Sequence, residues 1–240
     1  MARRLCHSVS VIPLLALVLI PVQASGPAPS SPAILQRFLA LGDPTPSQYR
    51  ALRHLEARND KFEKSASMDV WTEGDASGFR YQVVAEEGSD YIRSHIFRAS
   101  LDTERKVWAS GAPDKAGLTP DNYVFEDGGA GPDGLASLTV KPRRKELLLV
   151  DGSIFLNPED GELVRMEGRL SKSPSFWTRH VDIVRWYRRI AGFRMPVALE
   201  TVANVRIAGL STFWMSYDYE TVNGQRVGRP QPRLIARARP

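Results

Sequence analysis

Phe79-Arg80-Tyr81-Gln82-Val83-Val84-Ala85-Glu86 decides the fold class. Phe79, Tyr81, Val83 and Ala85 occupy every second position, with Arg80, Gln82 and Glu86 between them. A period of two sends one set of side chains to a buried face and the other to water, as in an antiparallel sheet packed on one side. The same period returns in Leu199, Ala203, Val205 and Ile207 against Glu200, Asn204 and Arg206. It returns again in Phe213, Met215, Tyr217 and Tyr219 against Thr212, Ser216 and Asp218. Turn-forming residues join the runs: Glu73-Gly74-Asp75, Glu87-Gly88-Ser89, Pro158-Glu159-Asp160-Gly161, Ala191-Gly192 and Ala208-Gly209. Hairpins in succession with no helix between them predict an antiparallel meander and exclude βαβ units.

Upstream of the strands the period is helical. Ile34, Leu35, Phe38, Leu39 and Leu41 predict a helix over Ala33–Leu41, stopped by Gly42 and Pro44. Tyr49, Leu52 and Leu55 mark one face of a second helix, capped by Ser47 and ending near Asn59. Arg179–Ile190 reads as a strand through Val181, Ile183 and Tyr187 or as a helix through Val181, Val184, Tyr187 and Ile190. Its β-branched content and hairpin neighbours favour the strand. Ala109–Gly134, with Gly128-Gly129 and Gly131-Pro132-Asp133-Gly134, is expected to be a long loop holding at most a short helix. The fold expected is therefore mainly β, of the α+β kind, with short amino-terminal helices packed on the sheet.

The ends carry different signals. Arg3-Arg4, an apolar run from Val9 to Val22, and the small residues of Val22-Gln23-Ala24 describe a secretory signal peptide over residues 1–24, cleaved between Ala24 and Ser25. That run contains Pro13 and is too short for a permanent span of the roughly 30 Å hydrocarbon core. Residues 25–32 (SGPAPSSP) read as a flexible linker, residues 33–224 as a single domain, and residues 225–240 as a disordered basic tail. Cleavage leaves 216 of the 240 residues, enough for one packed core, and removes Cys6, the only cysteine. The mature chain then has no disulfide, thiol nucleophile or thiolate metal site. The net charge of +5 is concentrated in the tail arginines, so nothing in the charge balance argues for nucleic-acid binding.

Catalytic signatures are missing as well. There is no HExxH, Gly-rich phosphate loop, GxSxG or Cys–His pairing, and no metal or cofactor is expected. His180 and Asp182 share a strand face and form the best remaining constellation, a base with its orienting carboxylate or half a metal site. Two residues fall far short of a site, and the solvated polar face opposite Val181 and Ile183 accounts for them. Lys141-Pro142-Arg143-Arg144-Lys145 has no interleaved aromatics and reads as a solvated turn between strands. The informative feature is apolar area on one face of a long meander, which must be covered by helices or curl around a cavity. If it curls, the lining candidates are Phe79, Tyr81, Val83, Val205, Ile207, Phe213 and Met215. The other outcome is an ordinary filled core.

Leu138–Tyr219 adds a second line of argument. It runs through Val140-Lys141-Pro142-Arg143-Arg144-Lys145, a hydrophobic strand into Asp151-Gly152, and Phe155-Leu156-Asn157-Pro158-Glu159-Asp160. The return Leu163-Val164-Arg165-Met166-Glu167-Gly168 follows, then Lys172-Ser173-Pro174-Ser175-Phe176-Trp177 and a strand pair turning at Gly192-Phe193-Arg194-Met195-Pro196. This succession resembles the LolA-like superfamily of periplasmic lipoprotein carriers and outer-membrane lipoprotein-sorting proteins. The resemblance implies a strongly curved antiparallel sheet forming an incomplete barrel lidded by helices. It implies a non-enzymatic periplasmic carrier whose hydrophobic cavity shields lipoprotein acyl chains or another lipid, with transient contact at a membrane surface. An envelope sensor or scaffold that binds a partner protein through the same curved sheet is the alternative. The family has no catalytic motif, so no residue role is carried over.

Overall fold

The computed structural model describes residues 31–42, 44–110, 117–172, 178–206 and 209–234, apart from the side chains of residues 31, 32, 178, 179 and 205. The signal peptide, its cleavage point, Ile207 and residues 235–240 lie outside the described residues, as does the side chain of Val205.

Eleven antiparallel strands form one sheet: β1 Tyr49–Asn59, β2 Lys64–Asp75, β3 Gly78–Gly88, β4 Tyr123–Ala130, β5 Ala136–Pro142, β6 Val150–Leu156, β7 Leu163–Leu170, β8 Thr178–Ile190, β9 Phe193–Val205, β10 Gly209–Val222 and β11 Gln225–Arg226. Their spatial order is β3-β2-β1-β10-β9-β8-β7-β6-β5-β4, with β11 on β10. β3 and β4 do not pair with each other, so the barrel is incomplete. Arg179–Ile190 falls within β8, and the turns at Ala191-Gly192 and Pro158–Gly161 join β8 to β9 and β6 to β7.

Two helical covers lie over the two ends of the sheet. The helix α1, Ser31–Ala40, buries Ile34 and Phe38 against β4 and β5, where Phe38 meets Phe125 at 6.2 Å between ring centres. The second cover is a continuous helical run of α2 (Asp90–Ile92), a π-helical stretch (Arg93–Arg98) and α3 (Ala99–Ala109). It buries Ile92, Phe97 and Leu101 over β2 and β3. Arg93 and Arg98 pair with Glu86 of β3, at 3.3 and 2.8 Å. Trp108 lies close on the sheet at Gly74, where a Cβ would stand 2.8 Å from the indole. Another close approach occurs where Gly152 of β6 faces Gly168 of β7, since a Cβ on Gly152 would stand 2.1 Å from the Glu167 carbonyl oxygen.

Several expectations are corrected. Residues 49–59 are the strand β1, because β1 is central and covered on both faces, with Ala51, Leu52, Arg53, His54 and Leu55 all buried. Alternation disappears from a strand buried on both sides, and the 3-residue spacing of Tyr49, Leu52 and Leu55 is coincidental. The meander is interrupted by the 90–109 helical run, so Glu87-Gly88-Ser89 leads into a helix and only one cover comes from the amino terminus. Ile92, Phe97 and Leu101 step by five and then four, because the π-helical stretch shifts the helical frame, and a 3.6-residue template misses them. The 109–134 stretch contains β4 and a 3₁₀ turn at Pro132–Gly134; Gly128 and Gly129 fall where β4 bulges between Asp127 and Ala130, while Gly131 precedes the turn and Gly134 ends it.

The described part of the carboxyl end, residues 225–234, returns to the sheet where no structure is expected. After β11, the Leu234 N–H donates to Asp69 Oδ2 at 2.7 Å on the outer face. Asp69 is completely buried, and its other oxygen meets His54 Nδ1 at 2.6 Å. His54 Nε2 reaches Glu56 Oε1 at 2.7 Å. Asp69→Ala leaves the buried His54 Nδ1 and the Leu234 N–H without partners, a loss of about 2–4 kcal/mol. Urea unfolding should register that loss, with faster amide exchange over 225–234; unchanged exchange would show that Asp69 does not hold this segment.

Candidate functional site

The middle of the concave face is left open between the two covers. There the sheet and the 90–109 helical run enclose a cavity of about 1400 Å³. Its floor comes from β1, β8, β9 and β10, and one face of the helical run forms its wall, through Ile92, Ile96, Ala99, Thr103 and Val107. Register explains the empty space. Toward one end of the floor the inward positions are Ala57–Phe213–Thr201 and then Asn59–Ser211–Ala203–Val181, each a direct cross-strand neighbour of the next. Most of these side chains are too small to fill the gap beneath the cover. Exposed apolar side chains stand around the mouth: Phe62 at the β1–β2 turn, Tyr91 and Ile96 on the helical run, and Leu147 and Leu148 before β6.

The wall is fastened to the floor by an ion pair between a buried arginine and a partly exposed glutamate. Arg53 is 1 % exposed and donates from Nη1 and Nη2 to the two carboxylate oxygens of Glu104, at 2.6 and 2.8 Å. Its Nη2 also donates to the Tyr49 hydroxyl at 3.0 Å, and the guanidinium lies 4.6 Å from the Tyr217 ring centre. Burial opposes the charge on Arg53, but Glu104, with smaller contributions from Tyr49 and Tyr217, outweighs it and raises the pKa well above the usual arginine value. The phenols of Tyr49, Tyr217 and Tyr219 are pushed above the usual tyrosine value, chiefly by burial. On the second strand face of the helical contact, the Tyr81 hydroxyl donates to Asp102 at 2.9 Å.

The structure separates the residues nominated from sequence. Phe213 and Met215 line the cavity. Phe79, Tyr81 and Val83 pack into the core beneath the helical run instead, with Phe79 3 % exposed. Val205 and Ile207 offer no side-chain position to assign. His180 Nε2 lies 3.6 Å from Asp182 Oδ2, and Asp182 also accepts from Arg169 at 3.1 Å on the outer, polar face. Arg53, Glu104 and Arg185 are not nominated from sequence: Arg53 lies in a stretch that reads as a helix, Glu104 in a helical run that the periodicity does not disclose, and Arg185 in a strand whose register is unknown. Among the described residues, no helix is long and apolar enough to cross a membrane.

Two solved structures illustrate what this chain is similar to. One is a DUF1329 family protein from Desulfovibrio piger, with a TM-score of 0.39 and 8% identity over 78% of this chain and 89% of that one. The other is a LolA superfamily protein from Nitrosomonas europaea, with a TM-score of 0.38 and 10% identity over 87% of this chain and 97% of that one. No family model and no curated protein matches the chain.

The ion pair and the phenols make two checkable predictions. Arg53→Met strands the Glu104 carboxylate and should cost about 3 kcal/mol in urea unfolding, with amide exchange accelerated first over 99–109. Equal acceleration across the sheet would mean that the pair serves the whole core and not the cover. The tyrosine shifts also fix a sign. The unfolded chain loses phenolic protons near pH 10, while the folded chain retains them, so this contribution is complete below that pH and is lost above it. The urea midpoint should therefore fall as pH rises through about 10, and Tyr49→Phe with Tyr217→Phe should flatten that fall. An unaltered slope would show that other groups cause it.

Proposed function

We propose that this protein is a binding and carrier protein of the periplasm that shields an acyl chain, from a lipoprotein or another lipid, in the cavity beneath the 90–109 helical run. The observation carrying the proposal is the cavity itself: about 1400 Å³ of space floored by side chains such as Phe213, Met215, Ala203 and Val181, in a protein that otherwise packs its concave face densely. That exceeds the roughly 300–1000 Å³ of ordinary small-molecule pockets. Each CH₂ moved from water into such a site contributes about 0.8 kcal/mol, so one long acyl chain supplies enough free energy for useful affinity. Loading and release pass through the mouth beside Ile96 and Leu148, while the Arg53–Glu104 tether keeps the helical run on the sheet. The amino-terminal pattern through Ala24 supports export, and the exposed Phe62, Tyr91 and Leu147 at the mouth suit brief contact with a membrane surface.

The same exposed rim favours one second reading, in which a partner protein inserts a segment through the mouth. Native mass spectrometry on protein purified from its own envelope without harsh detergent separates the two. Co-purifying acyl species that vanish on mild denaturation are the expected result. Ala203→Trp, projecting into the open space, should abolish uptake of a neutral fluorescent lipid probe while changing the unfolding midpoint little. A clean apo mass with no probe uptake by the wild type would transfer the assignment to the partner-protein reading.

A further inference from the structure

One transverse row of the sheet contains an anomaly. Leu55 on β1, Met215 on β10, Leu199 on β9, Arg185 on β8, Met166 on β7 and Ile154 on β6 are successive cross-strand partners. Five are buried apolar residues. The sixth is an arginine, placed on the concave face where its neighbours form the floor of the cavity. Arg185 borders both the main cavity and a smaller one of about 110 Å³ that continues from it past Leu147, Leu148 and Tyr187.

Arg53 and Arg185, both lining the cavity, differ in their partners. Arg53 is matched by both oxygens of Glu104. Among the described residues Arg185 forms no ion pair; it bonds to the Tyr187 side chain, and its buried Nε has no hydrogen-bond partner. Glu104 adds to the field at Arg185 only from a distance, since its oxygens are already taken. An unmatched guanidinium among Met166, Leu199 and Leu170 is unfavourable unless something anionic enters beside it. The planar fork of N–H donors fits the paired oxygens of a carboxylate or phosphate.

We propose that Arg185 is the headgroup subsite of the cavity, and that the ligand is an acyl chain ending in a carboxylate or phosphate oxyanion. The oxyanion accepts from the Arg185 guanidinium at the β8 end of the floor. The chain then extends past Phe213 and Ala203 toward the mouth. This assignment rests on the lipid-binding reading of the cavity and narrows it to anionic amphiphiles.

The test uses the full mature chain loaded with N-phenyl-1-naphthylamine, a neutral probe, at mildly alkaline pH where fatty acids are ionised. Oleate, oleyl phosphate and oleyl alcohol compete for the site, with acetate and inorganic phosphate as chain-free anions. The expected result is displacement by oleate or oleyl phosphate at least about tenfold tighter than by oleyl alcohol, and none by the chain-free anions. The tighter of the two acids identifies the headgroup. Arg185→Gln should erase the preference while retaining probe and alcohol binding, and Arg185→Lys should keep part of it. Equal displacement by acid and alcohol in the wild type overturns the Arg185 assignment and leaves the cavity reading standing. So does an equal loss of both in Arg185→Gln. Failure of the wild type to take up the probe overturns the cavity reading and the headgroup subsite with it. The wild-type comparison decides the matter even if the variants fold poorly.

Discussion

Arg53 carries its charge into the interior of a strand buried on both faces, and the carboxylate of Glu104 makes that position tolerable. An unpaired guanidinium at this depth would cost several kcal/mol, so sheet and helical cover are obliged to stay in contact there. The remainder of the concave face follows from that obligation. Trp108 rests at Gly74, Tyr49 packs at an angle between Trp108 and Tyr219, and Tyr217 lies under the guanidinium. The cover is thereby pinned above β1 to β3, and the strands β8 to β10 are left without a roof of comparable density. The cavity is the space between a fixed cover and a floor of small side chains.

This arrangement explains why one sheet supports two kinds of interior. Beneath α1 and over β4 to β7, Ile34, Phe38, Leu138, Ile154 and Leu156 close into a continuous core with almost no exposure. Beneath the 90–109 run the core stops at Phe97 and Leu101, and the next inward rows contain alanine, serine and threonine. Dense packing is the default of protein interiors, so a local run of small inward residues marks a departure from it. The departure lies at the open side, next to exposed Phe62 and Ile96.

Much of the architecture was legible because most strands are buried on one face only. β3, β9 and β10 declare themselves by alternation, and the turn at Ala191-Gly192 fixes their neighbour β8. β1 was misread as a helix because both of its faces are covered, the outer one near the returning residues of the carboxyl end. The 90–109 run was missed because a π-helical frame shift breaks its apolar period at Phe97. Alternation tells which side chains point inward, but not what lies above them. Phe79 and Phe213 look equivalent in sequence, yet one is sealed under a helix and the other faces the cavity. The significance of Arg185 depends on its partners Leu199 and Met166, 14 and 19 residues away, which only the register discloses.

The pairing of β1 with β10 has a further consequence. Tyr49 meets Val222 and Asn59 meets Ser211, so the central seam of the sheet joins the first strand of the chain to one of its last. Closing so long a loop costs entropy before any contact offsets it, and such topologies fold slowly. While the polypeptide emerges from a ribosome, β1 to β3 exist without the neighbour that completes them. Consolidation waits until nearly the whole chain is present. A nascent chain of this design remains open for most of its synthesis, the condition in which a polypeptide threads through a narrow translocation channel.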